Sequence, residues 1–540
     1  MLILVGAIGA VTRLIASQIQ DKDRDPAVLV LDPEGRWVVP LLGGHYAGAE
    51  QLARELAADL GGEAVITGAC FSDQRLALDS VGYGWGWRRG GSTQAWRELM
   101  QLQARGQIAT YRQSAGPRHW NNSCRTTTPE PARSEQVDLS IGPEANATCR
   151  WHPANLWIGI GCERNSSENL VLRAIKQSLT EADLAMEAVA GIASADRKAD
   201  EPALIQLVRT QQWPFRVFRC DALASQTVPT PSDVVRAEMG TASVAEAAAL
   251  LAAGDKATLR LTKRIYHAQM GEQGAVTIAI AEASHAFAPA RGELHLVGSG
   301  PGDLSLLSLD AQGALARCVA WVGYGLYLDL LEPLRRPDQV RFDGRLTQEW
   351  ERCAEALALA QQGAKVALIS SGDSGIYGMA GLALDLWLQQ VEQDRPSFSV
   401  HPGISAIQLA AARAGAPLMH DFCTISLSDR LTPWTVIQQR LDAAAAGDFV
   451  VGLYNPRSKD RDWQLKHAQD ILLKHRAQST PVLIARQLGR LEEDIELTTL
   501  AALKPDDVDM LTLILIGNST TFIRDGRMVT PRGYPGAKLS

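Results

Sequence analysis

A glycine-rich turn between a strand and a helix is the feature that most constrains how this chain folds. Residues 293–297 form an apolar run typical of a short buried strand, and residues 304–318 have helical spacing. Between them stands Gly298-Ser299-Gly300-Pro301-Gly302-Asp303, whose glycines allow a sharp turn and a close approach of the backbone to a ligand. The spacing fits neither the dinucleotide-binding fingerprint nor a Walker loop. Alone, the turn is equally compatible with a structural role.

Further turns of this kind follow other predicted strands in the second half of the chain. They occupy residues 371–378, 401–406, 455–458 and 517–520, and those at 371, 455 and 517 follow apolar runs. In open α/β sheets, ligands bind in the crevice beyond the carboxyl ends of the strands. Because few basic residues accompany the turns, we expect a neutral or zwitterionic ligand that is held mainly by backbone groups.

Composition narrows the class of protein. The 540 residues suggest roughly three or four domains of ~150 residues. A net charge of −7 does not indicate that the chain binds nucleic acid or a membrane surface. No uncharged apolar run approaches the ~18 residues of a transmembrane helix. The eight cysteines are scattered without a Cys-x-x-Cys pair, which favours a reducing cytoplasmic location and argues against a structural zinc site.

The alternation of strand, glycine turn and helix predicts a multidomain α/β protein. Residues 111–152 are rich in Ser, Thr, Asn, Arg and Pro and are predicted to be a linker or a degenerate middle segment. The predicted units are an α/β domain at 1–110, this segment at 111–152, a second α/β domain at 153–281, a linker at 282–292, and two subdomains at 293–402 and 403–535.

One motif invites a wrong interpretation. Gly372-Asp373-Ser374-Gly375 looks like the nucleophile segment of chymotrypsin-like proteases, but those proteases are all-β and this segment lies among alternating strands and helices. No Gly-x-Ser-x-Gly elbow is present either. No cluster of His and carboxylate ligands predicts a metal site.

Taken together, the turns resemble the tetrapyrrole methyltransferase family, and within it the precorrin-3B C(17)-methyltransferases. The resemblance spans residues 293–535. It implies a class III methyltransferase of two α/β subdomains with S-adenosylmethionine, the methyl donor, in the cleft between them. The motifs that carry it are Gly-Ser-Gly-Pro-Gly-Asp from 298, Val-Gly-Tyr-Gly-Leu-Tyr from 322, Ser-Gly-Asp-Ser-Gly-Ile-Tyr-Gly from 371, Pro-Gly-Ile-Ser-Ala from 402, Tyr-Asn-Pro-Arg-Ser from 454 and Gly-Asn-Ser from 517.

The resemblance also implies which residues contact the cofactor. Tyr454 and Asn455 align with the family's contacts to the adenine side, and the region of Leu488 aligns less securely as a further contact. The full predicted set is Pro301, Gly372, Asp373, Ser374, Ile376, Tyr377, Ser405, Ala406, Tyr454, Asn455 and Leu488. The expected reaction is methylation of carbon 17 of the macrocycle coupled to ring contraction, and relatives of the family suggest a homodimer.

Ring contraction needs proton transfers, for which Asp303 is a candidate acid or base; a role as cap of the following helix is equally compatible with its position. Arg457 and Lys459 are candidates for contacts with the substrate's carboxylates, with plain surface charge as the alternative.

The first half resembles the cobalt-precorrin-5A hydrolase family, whose members open a lactone and release acetaldehyde. The match covers two small α/β domains, whereas residues 111–152 match the family's middle segment poorly. The motifs lie at 9–13, 21–27, 43–49, 159–162, 193–202 and 237–247.

Lactone opening needs a base for water and an electrophilic partner for the carbonyl oxygen. His45 stands where a helix is predicted to begin, so the helix dipole would favour its neutral form, and it or Glu201 is the candidate base. Lys198 is the candidate electrophile. The structural alternatives are a turn histidine and a Lys198–Glu201 surface ion pair.

These resemblances predict a bifunctional enzyme of cobalamin biosynthesis that takes a tetrapyrrole substrate, with cobalt present only as part of that substrate. Two alternatives stay open. The second half could methylate another tetrapyrrole carbon or a different substrate, and the first half could be a non-catalytic corrinoid-binding module.

Overall fold

The computed structural model describes residues 1–20, 25–44, 48–67, 76–122, 129–133, 137–336, 338–345, 348–458 and 461–536. Within these residues, five sheets of four or five strands and one small three-stranded sheet are formed. Helices follow most of the strands. The predicted multidomain α/β class is confirmed.

The first sheet has the strand order β1-β2-β3-β4 and carries a small apolar core under one helix. The helix Ala49–Leu60 ends where Gly61 takes a left-handed conformation, with φ of 67°, and its N–H bonds back to the last turn. The elements are β1 (Leu2–Val5), α1 (Ile8–Ile15), β2 (Val28–Leu31), β3 (Trp37–Leu42), α2 (Ala49–Leu60) and β4 (Glu63–Ala64).

The prediction of a linker at residues 111–152 is wrong for its described part. These residues belong to a second sheet of order β5-β9-β8-β6-β7, which begins before residue 110, so the predicted boundary at 110 also falls inside this unit. The elements are α3 (Val81–Gly84), β5 (Arg88–Gly91), α4 (Thr93–Ala104), β6 (Thr110–Gln113), β7 (Glu130–Pro131), β8 (Leu139–Ile141) and β9 (Cys149–His152).

Tryptophan burial explains why this polar segment folds. Each of its five core tryptophans is at most 2% exposed, and each large aromatic side chain removes a large apolar area from water. The indole N–H of Trp151 donates to the carbonyl of Leu78, and that of Trp96 donates to the carbonyl of Gly90. The core tryptophans are Trp85, Trp87, Trp96, Trp120 and Trp151.

A third sheet follows, with parallel strands on one side and antiparallel strands on the other, in the order β12-β11-β10-β14-β13. Its central strands are buried on both faces. The elements are β10 (Leu156–Cys162), α5 (Glu168–Glu181), β11 (Val189–Ala195), α6 (Pro202–Gln211), β12 (Phe215–Phe218), α7 (Cys220–Ala224), α8 (Asp233–Met239), α9 (Val244–Ala253), β13 (Thr258–His267) and β14 (Ala275–Glu282).

The fourth sheet is wholly parallel, in the order β17-β16-β18-β15-β19, so the carboxyl ends of its strands share one edge. The predicted helix at 304–318 is divided into a 3-10 turn (Leu304–Leu306) and α10 (Leu309–Arg317). The remaining elements are β15 (Glu293–Gly298), β16 (Ala320–Tyr324), α11 (Gly325–Leu331), β17 (Val340–Gly344), α12 (Glu349–Gln361), β18 (Lys365–Ser370), α13 (Ala380–Leu388) and β19 (Ser397–His401).

The fifth sheet is mixed, in the order β21-β22-β25-β23-β24, and a small sheet β20-β27-β26 lies beside it. The elements are α14 (Ala406–Ala414), β20 (Gly415–Ala416), β21 (Phe422–Ser426), α15 (Trp434–Ala446), β22 (Val450–Tyr454), α16 (Gln464–Leu472), β23 (Pro481–Arg486), β24 (Asp494–Thr499), β25 (Thr512–Ile516), β26 (Phe522–Arg524) and β27 (Arg527–Val529).

The two halves of the chain contact each other extensively. The tryptophan core of the second sheet is continuous with apolar side chains of the fourth sheet and its helices. Helix α2 packs on α10, with an ion pair of 2.8 Å between Arg317 and Asp59. Lys365, the first residue of β18, pairs with Glu55 of α2 at 2.8 Å.

In the part of the chain that the structure describes, no helix is long and apolar enough to cross a membrane.

Candidate functional site

The site is built where β15 and β18 end side by side. Beyond the parallel ladder, Gly300 and Gly372 form an isolated antiparallel bridge, with N···O distances of 3.1 and 2.7 Å. Both glycines have φ near 70°, which L side chains rarely adopt. The two predicted loops are therefore locked to each other through their backbones.

The loop from 401 to 405 closes the second side of the site. A Cβ at Gly403 would lie 2.1 Å from the carbonyl oxygen of Gly372 and 2.6 Å from that of Gly298, so only glycine fits there. Asp373 holds the two loops together, because its carboxylate accepts from the N–H of Gly375 at 2.8 Å and from the N–H of Gly403 at 3.1 Å.

Ser405 and Ala406 begin helix α14 at this point. The N–H and the hydroxyl of Ser405 both donate to Oε1 of Gln408, at 2.9 and 3.0 Å, as part of a capping box. A Cβ on Gly372 would lie 3.8 Å from Cα of Ser405. The Gly372 loop and the start of α14 thus face each other at van der Waals distance.

Two tyrosines connect the subdomains. Tyr377, at φ of 53°, and Tyr454 place their ring centroids 5.0 Å apart, and the N–H of Ile407 donates to the Tyr454 hydroxyl at 3.2 Å. Burial raises the pKa of Tyr454, which keeps its phenol protonated. Asn455, also at positive φ, donates to Oγ of Ser426 at 3.0 Å.

The turn after β23 covers the first loop. Gly489, at φ of 69°, packs so closely on Pro301 that an added Cβ would lie 2.9 Å from Cγ of the proline. Leu488 is buried in the apolar cluster that contains Ile404 and Ala406. These contacts bring the loops that carry Pro301, Gly372, Ser405, Tyr454 and Leu488 together between the fourth and fifth sheets, and we call this place the cofactor cleft. That the predicted residues contact the cofactor stays a prediction.

The lining of this cleft fits S-adenosylmethionine. The Ser374 hydroxyl is buried without a hydrogen-bond partner among the described residues, and it offers a polar contact to a ligand. Ile376 and Tyr377 remain 40% and 52% exposed and offer apolar surface. Both carboxylate oxygens of Asp373 accept hydrogen bonds from backbone N–H groups. The groups that remain available to a ligand are therefore mainly backbone groups and uncharged side chains.

The predicted proton-transfer residue has a structural partner. Asp303 caps the 3-10 turn Leu304–Leu306, where its carboxylate accepts from the N–H of Ser305 at 2.8 Å. That hydrogen bond lowers the pKa of Asp303, which makes the group a poor proton donor near neutral pH. The contacts of Asp303 are those of a residue that caps the following turn.

Arg457 pairs with Asp506 at 2.9 Å and also donates to the carbonyl of Pro505. Its guanidinium is therefore already engaged on the surface. Lys459 lies outside the described residues.

In the first half, Glu201 is fully buried at the start of α6. Its Oε1 accepts from the N–H of Asn165 at 2.9 Å, and Arg164 lies 3.7 Å from its other oxygen. Arg164 also binds Asp200 at 2.6 Å. Among the described residues, the cation that lies near the Glu201 carboxylate is Arg164 rather than the Lys198 of the ion-pair alternative. These contacts hold the turn after β10, and the role of Glu201 as a base stays a prediction.

Lys198 is partly exposed near the end of β10. Burial raises the pKa of the Cys162 thiol to about 11, and Lys198 is the cation that most opposes this rise, so the two side chains share one neighbourhood. His45 lies outside the described residues, so its placement relative to Lys198 stays a prediction.

Sequence reasoning missed a polar line beside the cofactor loops. Glu293, His295, His401 and Asp310 follow one another at hydrogen-bond distances of 2.8, 2.9 and 2.8 Å. The local signal is weak: His295 stands inside the apolar strand β15, and His401 ends the shorter, mixed strand β19.

Comparison with known families identifies three regions. Residues 1–70 match Cobalamin synthesis G N-terminal, residues 156–281 match Cobalamin synthesis G C-terminus, and residues 293–504 match Tetrapyrrole (Corrin/Porphyrin) Methylases. The two resemblances predicted from the motifs are confirmed.

Two similar proteins align with the second half over nearly their whole length. The probable cobalt-factor III C(17)-methyltransferase of Salmonella typhimurium is 46% identical over 243 residues, which are 45% of this chain and 99% of that protein. The precorrin-3B C(17)-methyltransferase of Sinorhizobium sp is 40% identical over 252 residues, 46% of this chain and 98% of that protein.

Among solved structures, the methyltransferase CobJ is 35% identical to this chain. The match covers 44% of this chain and 100% of that one, with a TM-score of 0.43. With the nearly complete coverage of relatives above 30% identity, the chain belongs to the tetrapyrrole (corrin/porphyrin) methylase family and carries the two cobalamin synthesis G domains ahead of its methylase region.

Proposed function

We propose that this chain is a bifunctional enzyme of cobalamin biosynthesis. Its second half transfers a methyl group from S-adenosylmethionine to carbon 17 of a precorrin-3 or cobalt-factor III macrocycle, with ring contraction. The observation that supports this most is the convergence of the strand-end loops on one cleft, held by the Gly300–Gly372 bridge, in a region similar to two C(17)-methyltransferases.

The chain's own contribution to this reaction is mainly positioning. The bound cofactor supplies an electrophilic methyl group on a sulfonium. The loops at Gly300, Gly372 and Ser405 fix the cofactor pocket through backbone hydrogen bonds, and the tyrosine pair at 377 and 454 provides an aromatic wall on the adenine side. Holding the reacting carbon and the methyl in one geometry removes much of the entropic barrier.

The proposal for the first half is lactone opening of cobalt-precorrin-5A. Water adds to the ester carbonyl carbon, and the ring oxygen leaves as a hydroxyl after taking a proton. The carbon that bears this hydroxyl then departs as acetaldehyde: its O–H proton is lost, the C=O bond forms, and the carbon–carbon bond to the macrocycle breaks, with the electron pair and a proton passing to the macrocycle. Lys198 serves as the electrophilic partner of the carbonyl oxygen, and His45 serves as base. Glu201 supports the turn at Asn165 that precedes α5.

The substrate metal and the assembly are further parts of the proposal. Cobalt enters only inside the macrocycle, and the chain forms a homodimer through its methylase half, in the cytoplasm. Sedimentation of the full chain tests the dimer; a single monomer boundary at micromolar concentration would contradict it.

The test of the methyltransferase is anaerobic incubation of the full chain with S-adenosylmethionine and either the cobalt-containing or the metal-free macrocycle, followed by mass spectrometry. We expect one added methyl group with the cobalt form. Gly372→Ala adds a methyl between the two loops and strains a φ of 67°, so it should lower turnover at least about tenfold.

Gly381→Ala is the matched control, because a Cβ at Gly381, in helix α13, meets no atom within 4 Å. Equal loss in both variants, or no methyl gain in the unaltered chain with either macrocycle, would contradict the proposal.

The test of the hydrolase is acetaldehyde release from cobalt-precorrin-5A. Lys198→Met should reduce it at least about tenfold. Lys176→Met, on the exposed face of α5, should leave it unchanged. If Lys198→Met retains full turnover, the first half is better described as a corrinoid-binding module.

A further inference from the structure

Two histidines lie between two carboxylates in the methylase half, outside the cofactor pocket. Nε2 of His295 is 2.8 Å from Glu293, Nδ1 of His295 is 2.9 Å from Nε2 of His401, and Nδ1 of His401 is 2.8 Å from Asp310. Both histidines are less than 9% exposed. All three contacts have hydrogen-bond length, so each needs one proton between its two heavy atoms.

Counting protons gives the charge of this line. Two neutral imidazoles carry one N–H each, and ionised carboxylates carry none. Three hydrogen bonds therefore require one proton more than neutral histidines and carboxylates supply, whichever tautomers are present. Without the extra proton, two lone pairs would face each other at one contact. The cost is largest at the His295–His401 contact, where both rings are buried, and smaller at Asp310, whose side chain is 61% exposed.

The hydrogen-bonded series Glu293–His295–His401–Asp310 adjoins the loop at 402–405. His401 is the last residue of β19, and Pro402 and Gly403 follow it. Ser308, two residues before Asp310, donates to the carbonyl of Pro402 at 3.2 Å. His401 lies two residues before Gly403, which packs too closely on the carbonyls of Gly298 and Gly372 to accept a Cβ, so the placement of His401 bears on how this loop meets the Gly372 loop.

The charged groups around these four side chains come from three elements, β18, α2 and α10. Lys365 of β18 lies 3.4 Å from Glu293 and also pairs with Glu55 of α2. On the other side, a cavity of about 330 Å³ between α2 and α10 is lined by Asp59 and Arg317, which pair with each other, as well as by Asp310 and His401. The buried thiol of Cys318 lies near Glu293 as well.

We infer that His295 and His401 share one extra proton between the carboxylates of Glu293 and Asp310, and that this protonated pair positions the loop at 402–405 for cofactor binding. His295 and His401 are positioning residues, since neither is among the residues that line the cofactor cleft. The positioning role rests on the proposed use of S-adenosylmethionine. The shared proton itself rests on the contact geometry alone.

The shared proton is tested on the full chain without cofactor. Selective ¹⁵N labelling of the histidine rings, with His295→Gln and His401→Gln to assign the signals, reports whether each imidazole is neutral or protonated. We expect the pair to carry one extra proton at pH 7 and to lose it as the pH rises. Two neutral imidazoles at pH 7 would overturn the inference.

The positioning role is tested by calorimetric binding of S-adenosylhomocysteine from about pH 6 to about pH 9. For the unaltered chain, affinity should fall by about tenfold as the shared proton is lost. His401→Gln should bind about tenfold more weakly at pH 6 with little pH dependence, because its amide does not ionise in this range.

The control is His285→Gln, a histidine exposed in the connection at 282–292, which should keep the unaltered profile. Identical pH profiles for His401→Gln and the unaltered chain would overturn the positioning role. If S-adenosylhomocysteine bound at no pH, the proposed cofactor would be wrong, while the ring measurement would still decide whether the proton is shared.

Discussion

At the scale of single residues, the acidic side chains of the cofactor cleft form hydrogen bonds with backbone N–H groups and fix the loops. They are not free to act as acids or bases. Asp373 uses both carboxylate oxygens on N–H groups of two loops, and Asp303 caps a turn. A methyl transfer needs its partners aligned more than it needs a strong acid or base, so this arrangement suits the chemistry.

One residue-scale prediction concerns acid stability. The hydrogen bond from His295, opposed by burial and assisted by Lys365, lowers the pKa of Glu293 to about 2. A carboxylate whose pKa is lower in the folded state stabilises the fold above its unfolded pKa of about 4.3 and loses that contribution as the pH falls toward 2. The contribution is on the order of 2 kcal/mol, since Glu293 is partly exposed.

We therefore expect Glu293→Gln to lower the midpoint of thermal unfolding at about pH 6 by several degrees, and the gap to the unaltered chain to narrow as the pH falls to about 3. Circular dichroism at a series of pH values measures this. A gap that stays constant with pH would mean that the ionised carboxylate is not what stabilises the fold.

At the scale of elements, helix α14 begins inside the site. Its capping box involves Ser405 and Gln408, and the same serine faces the Gly372 loop. Ser405→Ala should cost about 1 kcal/mol of stability and should also weaken S-adenosylhomocysteine binding severalfold. Thermal unfolding and calorimetry on the same preparation measure both effects.

Ser243→Ala gives the comparison, because Ser243 caps α9 in the first half by accepting from the N–H of Glu246. It should cost similar stability and leave S-adenosylhomocysteine binding unchanged. If both variants weakened binding equally, the effect would be one of general stability rather than of the site.

The elements also show what could be predicted from the sequence. The strands at 293–298 and 365–370 and their glycine turns have local signatures, because a buried parallel strand is a continuous apolar run and a left-handed turn favours glycine. The two subdomains of the site were predictable for this reason. His295 and His401 were not, since they are 106 residues apart and meet only through pairing of β15 with β19.

The middle segment escaped prediction for a different reason. Its strands are short and polar, and their stability comes from tryptophans that pack against each other and against the fourth sheet. Such stabilisation is tertiary and leaves little periodicity in the sequence.

At the scale of the whole molecule, an ionic junction joins the first half to the methylase region. Arg216 of β12 binds Asp394 at 3.0 Å, and Arg291, only 7% exposed in its side chain, lies 3.9 Å from the same carboxylate. Burial lowers the pKa of Arg291 to about 9, and its guanidinium stacks on Phe287. The negative charge of Asp394 thus compensates the positive charges of two largely buried arginines, Arg216 and Arg291.

Asp394→Ala should destabilise this junction by about 3 kcal/mol, because it leaves buried positive charge uncompensated. Limited proteolysis should then cleave the connection at 282–292 faster than in the unaltered chain. Asp221→Ala, which removes an exposed pair with Arg219, should leave the free energy of unfolding nearly unchanged. Equal proteolysis of both variants would show that the junction does not depend on Asp394.

The most direct test of the account is the position of the transferred methyl group. The full chain is incubated anaerobically with the cobalt-containing macrocycle and S-adenosylmethionine labelled with ¹³C in its methyl group, and the product is examined by NMR. We expect one labelled methyl on carbon 17, absent with Gly372→Ala. A label on another carbon, or none from a folded chain that binds S-adenosylhomocysteine, would contradict the proposed function.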